Sequence, residues 1–505
     1  MADFDLVILG GGSGGYAAAL RASQLGQKVV LIEKEKLGGT CLHKGCIPTK
    51  ALLHAGEIAD STRHAADFGV KADFHSMDMA AVNTYKDGVI AKLHKGLEGL
   101  VKSRNVTYVQ GSGKLVSNNT VEANGTKYTG KNVILATGSY PKTLPGLEID
   151  GKQIITSEQA IKLDYVPKSV IVLGGGVIGC EFASVWKSFG AEVTIIEGLN
   201  HLVALEDESS SKQLERAFRK RGINFELGVK FKSAARGKKD VKITLEDGKE
   251  FSAEILLVAV GRGPVSAGLG YEEAGIKLDR GYVLVDNKCR TNVAGVWAVG
   301  DLIPTLQLAH VGFAEGIMVA EEIAGLNPRA INYDGVPRVT YSEPEVASVG
   351  LTTAQLGSKW RMQLEEVNGL QIIHDYYNAN PESMKAALKT LVLLSQESGG
   401  LSWAILGKMH ELGPLEQQAH LEIVEFCQEI GVDHLISMGT DLYKVSKNEG
   451  SDKHLLLHNC PNADAVLELA KNFSAGDVVL FKASRSERFE DVAQLVVDMW
   501  SGGRA

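Results

Sequence analysis

Two cysteines five residues apart, Cys41 and Cys46, are the residues of this chain best placed to do chemistry. They stand in the run Gly38-Gly39-Thr40-Cys41-Leu42-His43-Lys44-Gly45-Cys46-Ile47-Pro48-Thr49-Lys50. If the local backbone permits, such a pair closes a small disulfide and cycles between dithiol and disulfide. Lys50 lies one helical turn past Cys46, and a cation there favours the thiolate, the reactive form. Two other readings compete: a pair of ordinary buried thiols, or half of a zinc site. Zinc pairs usually stand about two to four residues apart and need two further ligands, and none follows at suitable spacing.

The elements around this pair repeat. Asp5-Leu6-Val7-Ile8-Leu9 runs into Gly10-Gly11-Gly12-Ser13-Gly14-Gly15, then a helical pattern, then Val29-Val30-Leu31-Ile32-Glu33. Ser169-Val170-Ile171-Val172-Leu173 runs into Gly174-Gly175-Gly176-Val177-Ile178-Gly179, a helical pattern, and Val193-Thr194-Ile195-Ile196-Glu197, offset by 164 residues. Each copy reads as the strand–turn–helix–strand opening of a dinucleotide-binding fold. Gly10 and Gly174 make the tight turn, Gly12 and Gly176 admit a pyrophosphate, and Gly15 and Gly179 let helix and strand pack closely. The helix N-terminus supplies free N–H groups to the phosphates. Glu33 and Glu197 each follow the last glycine by 18 residues, which suits ribose hydroxyls. A carboxylate at 197 repels a 2′-phosphate and favours NAD over NADP. One such motif is weak evidence; two in register are strong. A dithiol beside a dinucleotide fold points to electron exchange between cofactor and disulfide.

Other patterns frame these two copies. Positions 85–104 have amphipathic helical spacing, and 106–109 and 120–123 read as short strands. Strands are also expected at 133–135 before Ala136-Thr137-Gly138-Ser139, at 256–260 before Gly261-Arg262, and at 296–299 before Gly300-Asp301. Asp301, at a strand's carboxyl end, can accept from a polyol or ribose hydroxyl, or be a plain turn aspartate. Past Gly357 the glycine turns thin out. Helical patterns at 382–394, 414–429 and 464–471 alternate with strand patterns at 371–374, 403–406, 434–437 and 477–481. They describe a separate α/β domain.

Composition bounds the rest. The 505 residues argue for about three or four domains, and 44% hydrophobic with 23% charged residues excludes a disordered or fibrous chain. The net charge of −8 argues against a nucleic-acid partner and against an anionic membrane surface. Six scattered cysteines form no disulfide scaffold, so a reducing, cytoplasmic location is expected. No leader is expected ahead of the apolar run at 6–9, and no stretch nears the ~18 apolar residues that span a bilayer. Cys180, Cys289, Cys427 and Cys460 read as buried or partly buried thiols, and no metal site is expected.

Residues 1–357 resemble the flavin disulfide reductases, within them the dihydrolipoamide dehydrogenase branch. The motifs that carry this are the two glycine turns, Gly39-Thr40-Cys41 through Lys50, Ala136 to Ser139, Val260-Gly261-Arg262 and Val299-Gly300-Asp301, all in family order. The resemblance implies FAD at the first glycine turn and NAD at the second. It implies Cys41 as the thiol that meets a lipoyl-type disulfide or a lipoylated protein domain, and Cys46 as the thiol against the flavin. Lys50 and Glu181 are then the pair beside the isoalloxazine, and Asp301 the acid on the ribityl chain. Gly39, Thr40, Thr137, Gly138, Ser139, Gly261, Arg262, Gly300 and Ala309 join the cofactor set, and His310 is structural.

The family's C-terminal interface domain, which makes a homodimer and supplies a His-Pro motif with a glutamate to the partner's thiols, breaks off here near Gly357. No His-Pro pair follows. The thiol's acid–base partner is thus expected to be missing, lipoamide turnover to be impaired, and the dimer to be in question. Residues 358–505 instead resemble the C-terminal domain of the Mur ligases, in Ser358-Lys359-Trp360-Arg361-Met362, Tyr377-Asn378-Ala379-Asn380-Pro381, 404–413 and Lys482-Ala483-Ser484-Arg485. By that resemblance 377–381 and 482–485 help bind nucleotide and substrate. No GxxxxGK[ST] phosphate loop accompanies them, so ligase activity is not expected. The expected fold class is α/β: two Rossmann-like domains, for FAD (1–145 and 276–325) and NAD (146–275), a truncated interface start (326–357), and the Mur-ligase-like α/β domain (358–505). Three functions remain in view: the disulfide oxidoreductase, a diaphorase that reduces only dyes or quinones, and a hybrid whose C-terminal domain binds a nucleotide or peptidoglycan precursor.

Overall fold

The computed structural model of the protein describes residues 2–352, 362–376, 379–410, 412–444 and 455–501. The chain divides into two compact units, Met1–Gly350 and Leu351–Ala505.

The first unit is built around two larger sheets, one mixed and one all parallel. In one, Phe4–Leu9 lies between Val29–Glu33 and Thr126–Leu135; Thr107–Gln110 adds on the outer side of Val29–Glu33, and Val296–Ala298 pairs with Thr126–Leu135. Leu6 to Leu9 and Val133 to Leu135 are all buried, as continuous apolar runs must be in a sheet covered on both faces. Thr126–Leu135 is long enough to serve twice. Its second half pairs in parallel with Phe4–Leu9, while its first half begins an antiparallel meander with Thr120–Ala123 and Gly113–Ser117.

The other sheet is all parallel, in the order Ile223–Glu226, Glu192–Ile196, Ser169–Leu173, Ile255–Val258, Ile154–Ile155. The helix Val177–Phe189 packs on one face through Phe182, Val185 and Trp186. A three-stranded antiparallel meander, Phe231–Arg236, Val241–Leu245 and Glu250–Ala253, closes the other face through Val241, Ile243 and Leu245.

The second unit is one six-stranded sheet in the order Gln363–Val367, Leu370–Asp375, Val478–Lys482, Ser402–Leu406, His434–Met438, Leu456–Cys460, parallel apart from its first pair. Helices Pro381–Ser398 and Glu416–Ile430 cover one face, and Ala463–Ala470 and Phe489–Ser501 the other. Among the described residues, no helix is long and apolar enough to cross a membrane.

Candidate active site

The two glycine turns are superimposable in kind. Each strand ends in a glycine with positive φ (Gly10 at 108°, Gly174 at 109°), and each helix starts after an extended glycine, Gly12 or Gly176. A Cβ on Gly15 would sit 1.8 Å from the Gly10 carbonyl oxygen, and one on Gly179 would sit 1.9 Å from that of Gly174. Only glycine lets either helix lie so close to its turn. At Gly176 an added Cβ meets nothing within 4 Å, and at Gly12 only the Gly39 Cα at 3.9 Å. Both positions therefore face open cradles at helix N-termini, where a side chain would fill the space a pyrophosphate needs. The residues present fit two dinucleotides.

The carboxylates are anchored alike. Glu33 accepts from the Gly11 amide at 2.7 Å and the Glu35 amide at 2.8 Å. Glu197 accepts from the Gly175 amide at 2.5 Å and the Leu199 amide at 2.7 Å. Each stands at the end of its strand next to the turn it braces. The two sites belong to different sheets.

The cysteines lie against the first of these sites. Gly38 and Gly39 both take positive φ and turn the chain into the short helix Gly39–His43, which holds Thr40 and Cys41. Cys46 opens the helix Cys46–Arg63. Both cysteines are half-buried free thiols, and each acts on the other's ionisation. The neighbouring Cys41 side chain and the Lys50 cation bring Cys46 down to about 7, against burial and the Glu181 charge, while the Cys46 side chain and burial push Cys41 well up. The two thiols titrate as a pair, and the Lys50 cation beside them favours the form in which one of them has lost its proton. Lys50, one turn along the helix, places its Nζ 2.8 and 2.9 Å from the two oxygens of Glu181 on Val177–Phe189. The Glu181 side chain is 4% exposed, so its charge is matched by the one ammonium that also faces the thiols.

A third group joins three segments distant in sequence. Ser139 donates its hydroxyl to Asp301 at 2.5 Å and accepts from Arg262 Nε at 2.7 Å. Arg262 also donates to the Ser139 carbonyl at 2.8 Å. Thr137 turns inward and bonds the Val265 carbonyl at 2.6 Å. Gly138, Gly261 and Gly300 supply the positive-φ turns beside these residues, and Ala309 opens the helix Ala309–Ile323. His310 Nε2 donates to the Pro337 carbonyl at 2.9 Å.

Two contributors carry no sequence signal. Glu315, fully buried in Ala309–Ile323, accepts from the Gly300 amide, the Thr305 hydroxyl and the Tyr333 hydroxyl, and so holds the Gly300–Asp301 turn. Burial raises its carboxyl above the usual range. Tyr341 donates its amide to Glu181 at 3.0 Å and sets its ring over Lys50.

In the second unit, Asn380 caps Pro381–Ser398 by accepting from the Ser383 amide at 2.9 Å. Lys482, 1% exposed, meets Asp375 at 2.7 Å at the strands' carboxyl ends. Tyr377, Asn378, residues 358–361 and the Arg485 side chain lie outside what the structure describes. Cys427 and Cys460 are buried here, as Cys180 and Cys289 are in the first unit.

Comparison with known proteins agrees with this geometry. The profile of the pyridine nucleotide-disulphide oxidoreductases matches residues 4–316, and that of the Mur ligase, glutamate ligase domain matches 360–485. A dihydrolipoyl dehydrogenase of Bacillus subtilis is 43% identical over 368 residues, covering 69% of this chain and 78% of that protein. A mitochondrial dihydrolipoyl dehydrogenase of Arabidopsis thaliana is 44% identical, covering 70% and 72%. A leghemoglobin reductase of Vigna unguiculata is 42% identical, covering 71% of each. The crystal structure of LpdA from Mycobacterium tuberculosis superposes with a TM-score of 0.66 at 29% identity, over 70% of this chain and 80% of that one. With glycine turns, thiols and matches in accord, the chain belongs to the pyridine nucleotide-disulphide oxidoreductase family.

Proposed function

We propose that the first unit is a disulfide oxidoreductase of dihydrolipoyl dehydrogenase type, with Cys41 exchanging with a lipoyl-type disulfide. The observation that carries this is the Cys41–Cys46 dithiol with Lys50 and Glu181 locked beside it. The family uses FAD and NAD(H), which when bound supply hydride and electron transfer between nicotinamide and sulfur. The chain's own residues do the rest. Gly12 and Gly176 keep the phosphate cradles open, Glu33 and Glu197 brace the turns, and Ser139, Arg262 and Asp301 interlock the segments around the first cofactor. Cys41 and Cys46 titrate as a pair, and Lys50 balances the charge. A cytoplasmic location suits a working dithiol.

We further propose that lipoamide turnover is reduced. After Gly357 the chain has no His-Pro pair, and general acid–base help is typically worth ~10²–10⁴-fold. The same loss puts the family's homodimer in question. NADH oxidation by the purified protein, with lipoamide as acceptor and a quinone dye as control, tests both parts. Dye turnover with little lipoamide turnover is the expected result. Lipoamide turnover equal to dye turnover overturns the impairment, and no turnover with either overturns the oxidoreductase reading.

A second reading concerns the second unit. A cavity of about 390 Å³ lined by Asp375, Ser383, Thr390 and Lys482 opens at the carboxyl ends of its strands, where doubly wound sheets hold ligands. It supports binding of a nucleotide or peptidoglycan precursor, testable by titration with a UDP-linked muramoyl peptide.

A further inference from the structure

Residues 337–343 form a strap across the first unit, anchored at both ends. Pro337 is held by His310 at 2.9 Å. Arg338 reaches Glu206 at 3.7 Å. The Glu343 amide donates to Ser184 Oγ at 3.1 Å, and its carbonyl accepts from Arg221 Nη1 at 2.9 Å. Between these anchors the backbone of Tyr341 is fixed, while the residue is 42% exposed. Its amide donates to Glu181 Oε1 at 3.0 Å, and the Lys50 Nζ stands 4.6 Å from its ring centroid. The ammonium is thus held between a buried carboxylate on one side and an aromatic face on another. A lysine stem has four rotatable carbons, and a single carboxylate fixes its tip in distance more than in direction. The ring supplies the missing constraint, because its negative face attracts a cation.

We infer that Tyr341 is a positioning residue for Lys50: its ring over the ammonium and its amide on Glu181 hold the charge beside the Cys41–Cys46 pair. This rests on the disulfide-oxidoreductase reading above and adds the group that aims the lysine. Lys50 lowers the Cys46 thiol and Glu181 raises it, so swinging the lysine away leaves the unfavourable charge in place. The other ionisable groups around the pair are Cys41 and Arg262, with Tyr16 facing Cys41. Tyr341 reaches Lys50 and Glu181, so its loss acts through those two.

The test is the pH dependence of iodoacetamide alkylation of the reduced, full-length protein, with flavin absorbance and a melting curve recorded alongside. The wild type and Tyr341→Phe, which keeps ring and amide, are expected to inflect near the Cys46 value of about 7. Tyr341→Leu and Tyr341→Met each fill the space without a ring, so one serves if the other fails to fold. Both are expected to inflect higher and to alkylate about two- to fivefold more slowly at pH 6. An inflection unchanged in the folded Leu or Met variant overturns the inference alone. A wild type with no thiol inflection below pH 8 overturns the reading on which it rests.

Discussion

Replacing Gly176 with alanine separates the fold of the second glycine turn from its cargo. Gly176 sits at φ −77° and ψ −170°, an extended conformation open to any L residue. An alanine Cβ there touches nothing within 4 Å. Gly176 also caps the start of its helix, where alanine is a poorer cap than glycine; this offsets the ~0.4–1 kcal/mol gained through the unfolded chain, and stability is expected to move by no more than about 1 kcal/mol either way. A pyrophosphate seated on the helix N-terminus must instead meet the new methyl. Overpacking of this kind costs ~1–3 kcal/mol, which is roughly 5- to 150-fold in affinity at about 1.4 kcal/mol per decade. NADH titration with the dye assay, beside flavin absorbance and a melting curve, reads all three quantities. The expected variant is flavin-replete, within about 1 kcal/mol of the wild type in stability, and weakened for NADH alone. Gly12→Ala is its mirror, weakening flavin retention. Unchanged NADH affinity in Gly176→Ala, or a loss of stability well above about 1 kcal/mol, refutes the reasoning.

Three further outcomes follow from the geometry. Cys41→Ser is expected to abolish lipoamide turnover while dye reduction continues; a variant with full lipoamide turnover removes Cys41 from its role. Lys482→Met removes the ammonium that meets the Asp375 carboxylate, 8% exposed, inside the second unit and is expected to destabilise that unit by more than about 1 kcal/mol; a urea melt showing less contradicts that. His374, His420, His434 and His458 are all held below the ordinary histidine value by burial. Their folded values lie below the unfolded ~6.5, so the unfolded chain binds more protons in acid. The second unit is expected to be fully stable above about pH 6.5 and to loosen as pH falls through those folded values. The hydrogen bond of 3.1 Å between His434 and His458 needs one neutral ring. Protection factors across His434–Met438 and Leu456–Cys460 should fall between pH 6.5 and 5; constant factors argue against it.

The glycine turns and the cysteine run were legible because each is written in contiguous residues, where spacing alone implies a turn, a helix start or a thiol pair. The buried central strands were legible for a similar reason: Ile255–Val258 is apolar at every position because both faces are covered. Edge strands hide. Gln363–Val367 and Leu456–Cys460 each bury a single residue, so little alternation marks them. The meander from Phe231 to Ala253 and the amphipathic helix Glu208–Lys220 were likewise not read from the sequence. Contacts across long separations leave no local trace. Lys50 and Glu181 lie 131 residues apart and were paired through family resemblance. Tyr341 and Glu315 were not foreseen, because nothing beside them in the chain shows which distant group they brace.

The strand order of the second unit has a consequence for how it is made. Val478–Lys482 is the last strand to be synthesised, yet it lies between Leu370–Asp375 and Ser402–Leu406. The ribosome therefore releases the two neighbours long before the piece that joins them. Until then Ile372, Ile373, Ala404 and Ile405 have no partner across the gap, and closing it joins positions about a hundred residues apart, the kind of pairing that slows folding. Nascent chains stalled ahead of Val478 should stay open to protease and chaperone in this unit while the first is already closed.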